Sequence, residues 1–164
     1  MNMYSKCIYC RRAILGKVLT QMQLTKQTDF AFRVLLYLGQ NAGQNVGQSP
    51  EETLCNLRDI CDYYDISHNH VAKVAVKLAK LGYIRSVRGH GGGIALLAKP
   101  QDINVAQVIR DFEPSLQPVN CTAPACKLLP NCKLKSVLFT AMNDFLSSAS
   151  QYTLADLLPT QARP

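Results

Sequence analysis

Apolar residues recur along this chain in a helical rhythm that gives way once to a short alternating one. From Thr25, Phe30, Val34, Leu35 and Leu38 recur at helical spacing. Thr25 or Thr28 suits the helix start, and Gly39 and Gly43 suit its end. Residues 39–53 are rich in Gly, Gln and Asn and are expected to form a loop. Asn56-Leu57-Arg58-Asp59 joins a good N-cap residue to an acid three positions on, as in a capping box. A helix to about Tyr64 follows, with Leu57, Ile60 and Cys61 inward. Only Asp65-Ile66 separates it from a second helix, capped by Ser67 and running to about Leu81. Two helices so tightly joined predict a helix-turn-helix.

The second helix sorts its residues by face. Val71, Val74, Ala75 and Leu78 form the inward stripe, while His70, Lys73, Lys77 and Lys80 recur on the other side. A solvated face normally mixes signs, so this one-sided choice is informative. Tyr83–Val87 then reads as a strand, Arg88–Gly93 as a turn and Ile94–Leu97 as the return strand, which together make a wing. Asn104 with Gln107 opens a short helix ending near Glu113-Pro114. Residues 114–132 are irregular and hold four of the eight prolines. Leu134, Val137, Leu138, Ala141, Phe145 and Leu146 then predict a long amphipathic helix with no partner left within the chain, which points to a second subunit. Tyr152–Leu157 is a short closing helix or an extended tail. The expected fold is therefore mostly α with a small β wing: a winged helix-turn-helix plus a long C-terminal dimerisation helix. Four segments follow: an N-terminal extension over 1–21 (disordered, or an over-called start), the winged helix-turn-helix over 22–100, a linker helix and cysteine loop over 101–133, and the dimerisation helix and tail over 134–164.

Charge adds a partner to this outline. The 164 residues carry a net charge of +7, which favours a polyanion. The bases are clustered: residues 66–100 hold Lys73, Lys77, Lys80, Arg85, Arg88 and Lys99 and no acid. His68, Asn69, His70 and Lys73 begin the second helix and are expected at base edges, and Ser67, at its cap, is counted with them among the DNA-binding residues. Lys77, Lys80, Arg85 and Arg88 are expected at phosphates, with Arg88 and His90 at the wing tip within reach of phosphate or a minor groove. No apolar run approaches the roughly 20 residues of a membrane span, and Lys17 interrupts the short apolar stretch near the start. A cytoplasmic DNA-binding protein is the expectation. No paired carboxylates, phosphate loop or nucleophile–base arrangement points to an enzyme.

The remaining chemistry lies in sulfur. Cys121-x4-Cys126-x5-Cys132 places three thiols within twelve residues of a loop that Pro124 and Pro130 restrict. Structural zinc usually takes two short Cys-x2-Cys pairs. The wider spacing here suits a bulkier iron–sulfur cluster, and three thiolates leave one position for a different ligand, which is compatible with 2Fe-2S or 4Fe-4S. A zinc-stabilised DNA-binding module, a thiol redox regulator and three unrelated thiols are the other readings. Cys61, inward on its helix, reads as a small hydrophobe. Cys55 shows no partner, and Cys7-x2-Cys10 is a weak signal standing alone.

Several segments together carry a family resemblance. They are Gln23-Leu-Thr…Thr28-Asp29, Ile66-Ser-His-Asn-His70-Val-Ala-Lys73, Leu81-Gly-Tyr-Ile84, Val87-Arg-Gly-His-Gly-Gly-Gly93-Ile, Val119-Asn-Cys121 and Tyr152-Thr-Leu-Ala-Asp-Leu157. From Met22 to about Leu157 the chain resembles the Rrf-type iron–sulfur regulators, and among them the nitric-oxide-sensing repressors. The resemblance implies a homodimer that binds a palindromic operator while a cluster on Cys121, Cys126 and Cys132 is intact, and releases it when nitric oxide degrades the cluster. A related cluster-assembly regulator carries a His three residues after its third cysteine. Lys135 stands there in this chain, which separates it from that relative. In some of the nitric-oxide-sensing proteins an Asp near the start of the first helix completes the partner subunit's cluster, and Asp29 matches that position. Asp29 is equally a first-turn acid of the kind that the helix dipole favours.

Overall fold

One helix forms the floor on which the other elements pack. In a computed structural model that describes residues 23–44 and 53–159, α1 (Lys26–Gln44) contacts most of the helices introduced below, and the sheet as well. Ala31, Val34, Leu35 and Leu38 supply its buried stripe, at the i, i+3, i+4, i+7 spacing of a helix face set against a core. The helix runs through Gly39 instead of stopping there. A Cβ at Gly39 would lie 2.9 Å from Leu158 Cδ2, so this glycine serves close packing in mid-helix and is no terminator. The expected loop over 39–53 is thus shorter, its first residues being helical, while residues 45–52 lie outside the described ones, as do residues 1–22 with Cys7 and Cys10.

The reading half follows. α2 (Leu57–Tyr64) starts at Asn56, whose Oδ1 accepts the Arg58 N–H at 2.9 Å, a single cap bond in place of the expected capping box. Asp65 then turns the chain in the left-handed region (φ 51°), where Asp is one of the few tolerated residues, and the Ile66 N–H closes onto Cys61 O at 3.0 Å. Ser67 holds the cap position of α3 (His68–Lys80) with extended backbone, though its side chain makes no cap bond. β1 (Ile84–Val87) and β2 (Gly93–Leu96) pair antiparallel, Ile84 opposite Leu96 and Val87 opposite Gly93. The Cys55 thiol is free and buried, while its backbone exchanges two bonds of 2.9 Å with Ile94. Gly93 makes this possible, since a Cβ there would fall 2.6 Å from Cys55 O.

The core then draws in the C-terminal half. α4 (Val105–Phe112) is capped by Asn104, which accepts the Gln107 N–H at 3.2 Å and donates to Ser150 O at 2.7 Å. Ala106, Val108, Ile109 and Phe112 face inward. The closing segment is helical and tied down: in α6 (Leu154–Leu157) Thr153 and Asp156 form a capping box, and Leu154 is 1% exposed with its N–H on Ile103 O at 2.8 Å. The Asp156 carboxyl lies below the usual carboxylate range because the Thr153 hydroxyl and backbone donate to it. α5 (Lys133–Ser150) differs from the rest, burying only Leu146 and leaving Leu134 and Val137 more than 60% exposed. Among the described residues no helix is long and apolar enough to cross a membrane.

Polar groups inside the core are paired. Thr28, at 0% exposure, donates its hydroxyl to Glu113 Oε1 at 2.5 Å. Tyr83 donates to Asp111 Oδ2 at 2.5 Å. Burial, and then this bond, push the Tyr83 hydroxyl well above its ordinary pKa. Phe112 is the largest fully buried side chain. Phe112→Ala is therefore expected to lower unfolding stability by about 3–5 kcal/mol, as aromatic truncations in cores do. Chemical denaturation checks this, and a loss under about 1 kcal/mol would show that the site collapses round the cavity.

Candidate DNA interface and cysteine loop

α3 presents its cations in two groups. With 3.6 residues per turn, the buried stripe of Val71, Val74, Ala75 and Leu78 leaves Asn69, Lys73, Val76 and Lys80 outermost, all exposed. His70 and Lys77 lie on the flank towards α1 and α4: the His70 ring is 6.2 Å from that of Phe30, and the Lys77 ammonium is 4.5 Å from the Phe112 ring centroid, a cation–π contact. These two, with Lys26, Gln27 and Lys73, line a cavity of about 300 Å³. Ser67 and His68 are exposed at the helix start, Arg88 and His90 are exposed on the wing turn, and Arg85 is half-buried on β1. Between α3 and the wing lies a groove of about 660 Å³ whose walls include Val76, Lys80, Val87 and Arg88. With no acid from 66 to 100, both walls attract a polyanion.

Two residues of this surface were not singled out from the sequence. Lys26 stands in the first turn of α1, and its approach to α3 is tertiary, so no local pattern announces it. Val76 was legible: it lies seven residues after Asn69 and three after Lys73, in the outward register.

The cysteine loop is ordered by its own backbone. Asn120 Oδ1 accepts from Thr122 N at 3.0 Å, Thr122 Oγ1 at 3.1 Å and Ala123 N at 3.1 Å, an Asx turn. The Cys126 N–H then donates to Cys121 O at 3.0 Å, so the first two cysteines close one turn. Cys132 stands at the cap position of α5, beside a cavity of about 380 Å³ lined by Lys127, Leu128, Asn131, Cys132 and Lys133. Cys126 is exposed, and Cys121 and Cys132 are half-buried. Among the described residues no three His, Cys, Asp or Glu side chains converge as a metal-holding group. The donor set itself is apt for iron: soft thiols, three lysines and no acid between Glu113 and Asp144, surroundings in keeping with an anionic thiolate-bound cluster. Asp29 lies in the first turn of α1 and pairs with Arg33 at 3.0 Å, both side chains more than a third exposed; such a pair is weak and easily given up.

The loop leaves from a fixed point. Glu113 Oε1 accepts both the Thr28 hydroxyl and the Thr25 N–H, the latter at 2.8 Å, and adjoins Phe112 beneath Lys77. The start of α1, the flank of α3 and the first residue of the loop thus meet at the end of α4.

The comparisons with known proteins agree with this arrangement. A family model described as "Rrf2: Iron-dependent Transcriptional regulator" matches residues 24–160. The chain belongs to the Rrf2 family of transcriptional regulators. Within it, the chain is 41% identical over 144 residues to the HTH-type transcriptional regulator NsrR of Geobacillus kaustophilus, covering 86% of this chain and 92% of that protein. NsrR of Halalkalibacterium halodurans is 38% identical over 143 residues, covering 85% and 92%. The resemblance read from the sequence is borne out as an NsrR-type Rrf2 regulator. Among solved structures, CymR (YrzC), the global cysteine regulator of B. subtilis, superposes with a TM-score of 0.64 at 20% identity, covering 84% of this chain and 96% of that one; this likeness speaks for the winged-helix fold. These Rrf2 relatives are transcriptional regulators, not enzymes.

The thiols divide by environment. Burial, and then Asp59, push the Cys55 thiol up; burial, and then Asp62, do the same for Cys61, and a protonated buried thiol is a poor nucleophile. In chelator-treated protein, iodoacetamide at neutral pH is expected, among the cysteines of the described residues, to label Cys126 first, then Cys121 and Cys132, with Cys55 and Cys61 reacting only on unfolding. Peptide mass mapping against time checks the order. Labelling of Cys61 as fast as Cys126 in folded protein would contradict it.

Proposed function

We propose that this chain is a homodimeric, cytoplasmic transcription repressor whose hold on a palindromic operator depends on an iron–sulfur cluster, 2Fe-2S or 4Fe-4S, and is lost to nitric oxide. The observation that carries the reading is the attachment of the three-cysteine loop to Glu113, which also holds α1 and stands next to Phe112 under α3. Cys121 lies eight residues beyond Glu113, so a change at the thiols would reach the reading head through residues 114–120.

Cys121, Cys126 and Cys132 would hold the cluster, and Asp29 of the partner subunit would supply the fourth ligand, giving up its Arg33 pair. When bound, the cluster supplies iron with one weakly held ligand position, open to a small molecule. The residues of the chain do the rest. Ser67, His68, Asn69, His70 and Lys73 approach base edges, and Asn69 has the amide that reads adenine bidentately. Lys77, Lys80, Arg85, Arg88 and His90 meet phosphate or a minor groove and set register without reading sequence. The exposed Leu134 and Val137 of α5 suit a helix pairing across the dimer, which fixes the separation of two α3 helices at about one helical turn of DNA, roughly 34 Å. Release of the three thiols loosens the loop at Glu113, and that separation is lost.

Protein purified without oxygen is expected to be brown, with iron and acid-labile sulfide. Replacing any one of Cys121, Cys126 or Cys132 by Ala should remove most of both, and titration with nitric oxide should release bound duplex in step with bleaching. Colourless zinc-containing protein that binds DNA regardless of nitric oxide would overturn the reading in favour of a zinc-stabilised module.

A further inference from the structure

The outward face of α3 carries one feature that neither charge nor folding accounts for. Val76 is 56% exposed, the only large apolar side chain so exposed between His68 and Lys80. A β-branched residue on a wet helix face is disfavoured relative to Ala or Lys, so the fold gains nothing from it. Its neighbours in register are Asn69, Lys73 and Lys80, with Ala72 one turn back. Val76 and Ala72 also line the groove that runs to the wing at Val87 and Arg88. Val76 thus stands beside a largely apolar groove that carries Lys80 and Arg88 on its walls.

Resting on the reading of α3 as the DNA-reading helix, we propose that Val76, with Ala72 beside it, is a specificity determinant that packs against the C5-methyl group of a thymine in each operator half-site. The thymine methyl is the one apolar group on the base edges of the major groove, and small apolar side chains recognise it by contact. Lys73 and Lys80 bracket the valine, so a duplex that gives Lys80 a phosphate and Lys73 a base edge also brings base edges to Val76. A second copy of this chain would bring a net charge of +7 against the same lysines, and an apolar protein surface would leave them without anions. Charge complementarity selects DNA. Val76 thus adds a sequence preference that the polar residues of α3 do not provide, and it cannot act on cytosine, which lacks the methyl group.

The test is a chemical double-mutant cycle. Full-length anaerobic protein first selects a palindromic duplex from a random-sequence pool, and each thymine is then replaced in turn by deoxyuridine, which removes only the methyl group. One position per half-site is expected to weaken wild-type binding by about fourfold per half-site, the effect of one buried methyl-sized group. Val76→Ala should bind the parent duplex more weakly by a similar factor and lose nothing further on that replacement. Its thermal midpoint should be unchanged, because the side chain is exposed and Ala favours helix. Equal sensitivity of both proteins to every replacement, or no methyl-dependent thymine at all, overturns the inference while leaving DNA binding intact. Failure to enrich any duplex overturns the DNA-reading assignment, and this inference with it.

Discussion

A single carboxylate and the ring next to it hold the two halves of this molecule in register. Glu113 accepts two hydrogen bonds from the start of α1, one of them from a fully buried threonine, and bonds to a charged acceptor are among the stronger ones in a protein. Phe112 fills the core beneath α3 and carries the Lys77 ammonium on its outer face. Pro114 follows at once and ends α4, because it cannot continue the helix. The cysteine loop therefore follows a residue hydrogen-bonded to the start of α1 and ends at the start of α5, which buries only Leu146.

This arrangement gives a physical meaning to the order of the segments. Under the proposed function the cysteine loop needs a lever on the reading head, and a mobile tail would give it none. Pro114 lies one position, and Cys121 eight, from the hydrogen bonds that tie Glu113 to α1. The cations of α3 and the wing are preassembled on rigid elements, so what remains adjustable is the placement of one reading head relative to its partner. The proposed coupling would be of the two-state kind, in which a local bond set biases a rigid-body arrangement.

Much of this was legible in the sequence. The stripe Val71, Val74, Ala75, Leu78 and the tight Asp65-Ile66 connection gave the helix-turn-helix, because both are local. The wing was legible from its glycine run and flanking apolar residues. What local pattern could not show were the tertiary contacts. Gly39 resembles a stop signal, yet it lies in mid-helix because Leu158 returns against it from the far end of the chain. The backbone bridge from Cys55 to Ile94 could not be seen because it spans a long sequence separation. The division of the α3 cations into an outward group and a flank beside Phe30 and Phe112 required the helix to be seated on α1. The cysteine spacing was plain, while the attachment at Glu113 depended on two threonines more than eighty residues away.

The central claim is that cofactor integrity and DNA affinity are linked. The most direct measurement is the equilibrium affinity for one selected duplex, at fixed salt and without oxygen, before and after a chelator strips the iron from the same preparation. The account predicts binding weaker by about tenfold or more after stripping, within the usual range of allosteric coupling, with the fold retained by circular dichroism. Unchanged affinity in folded, iron-free protein would contradict it.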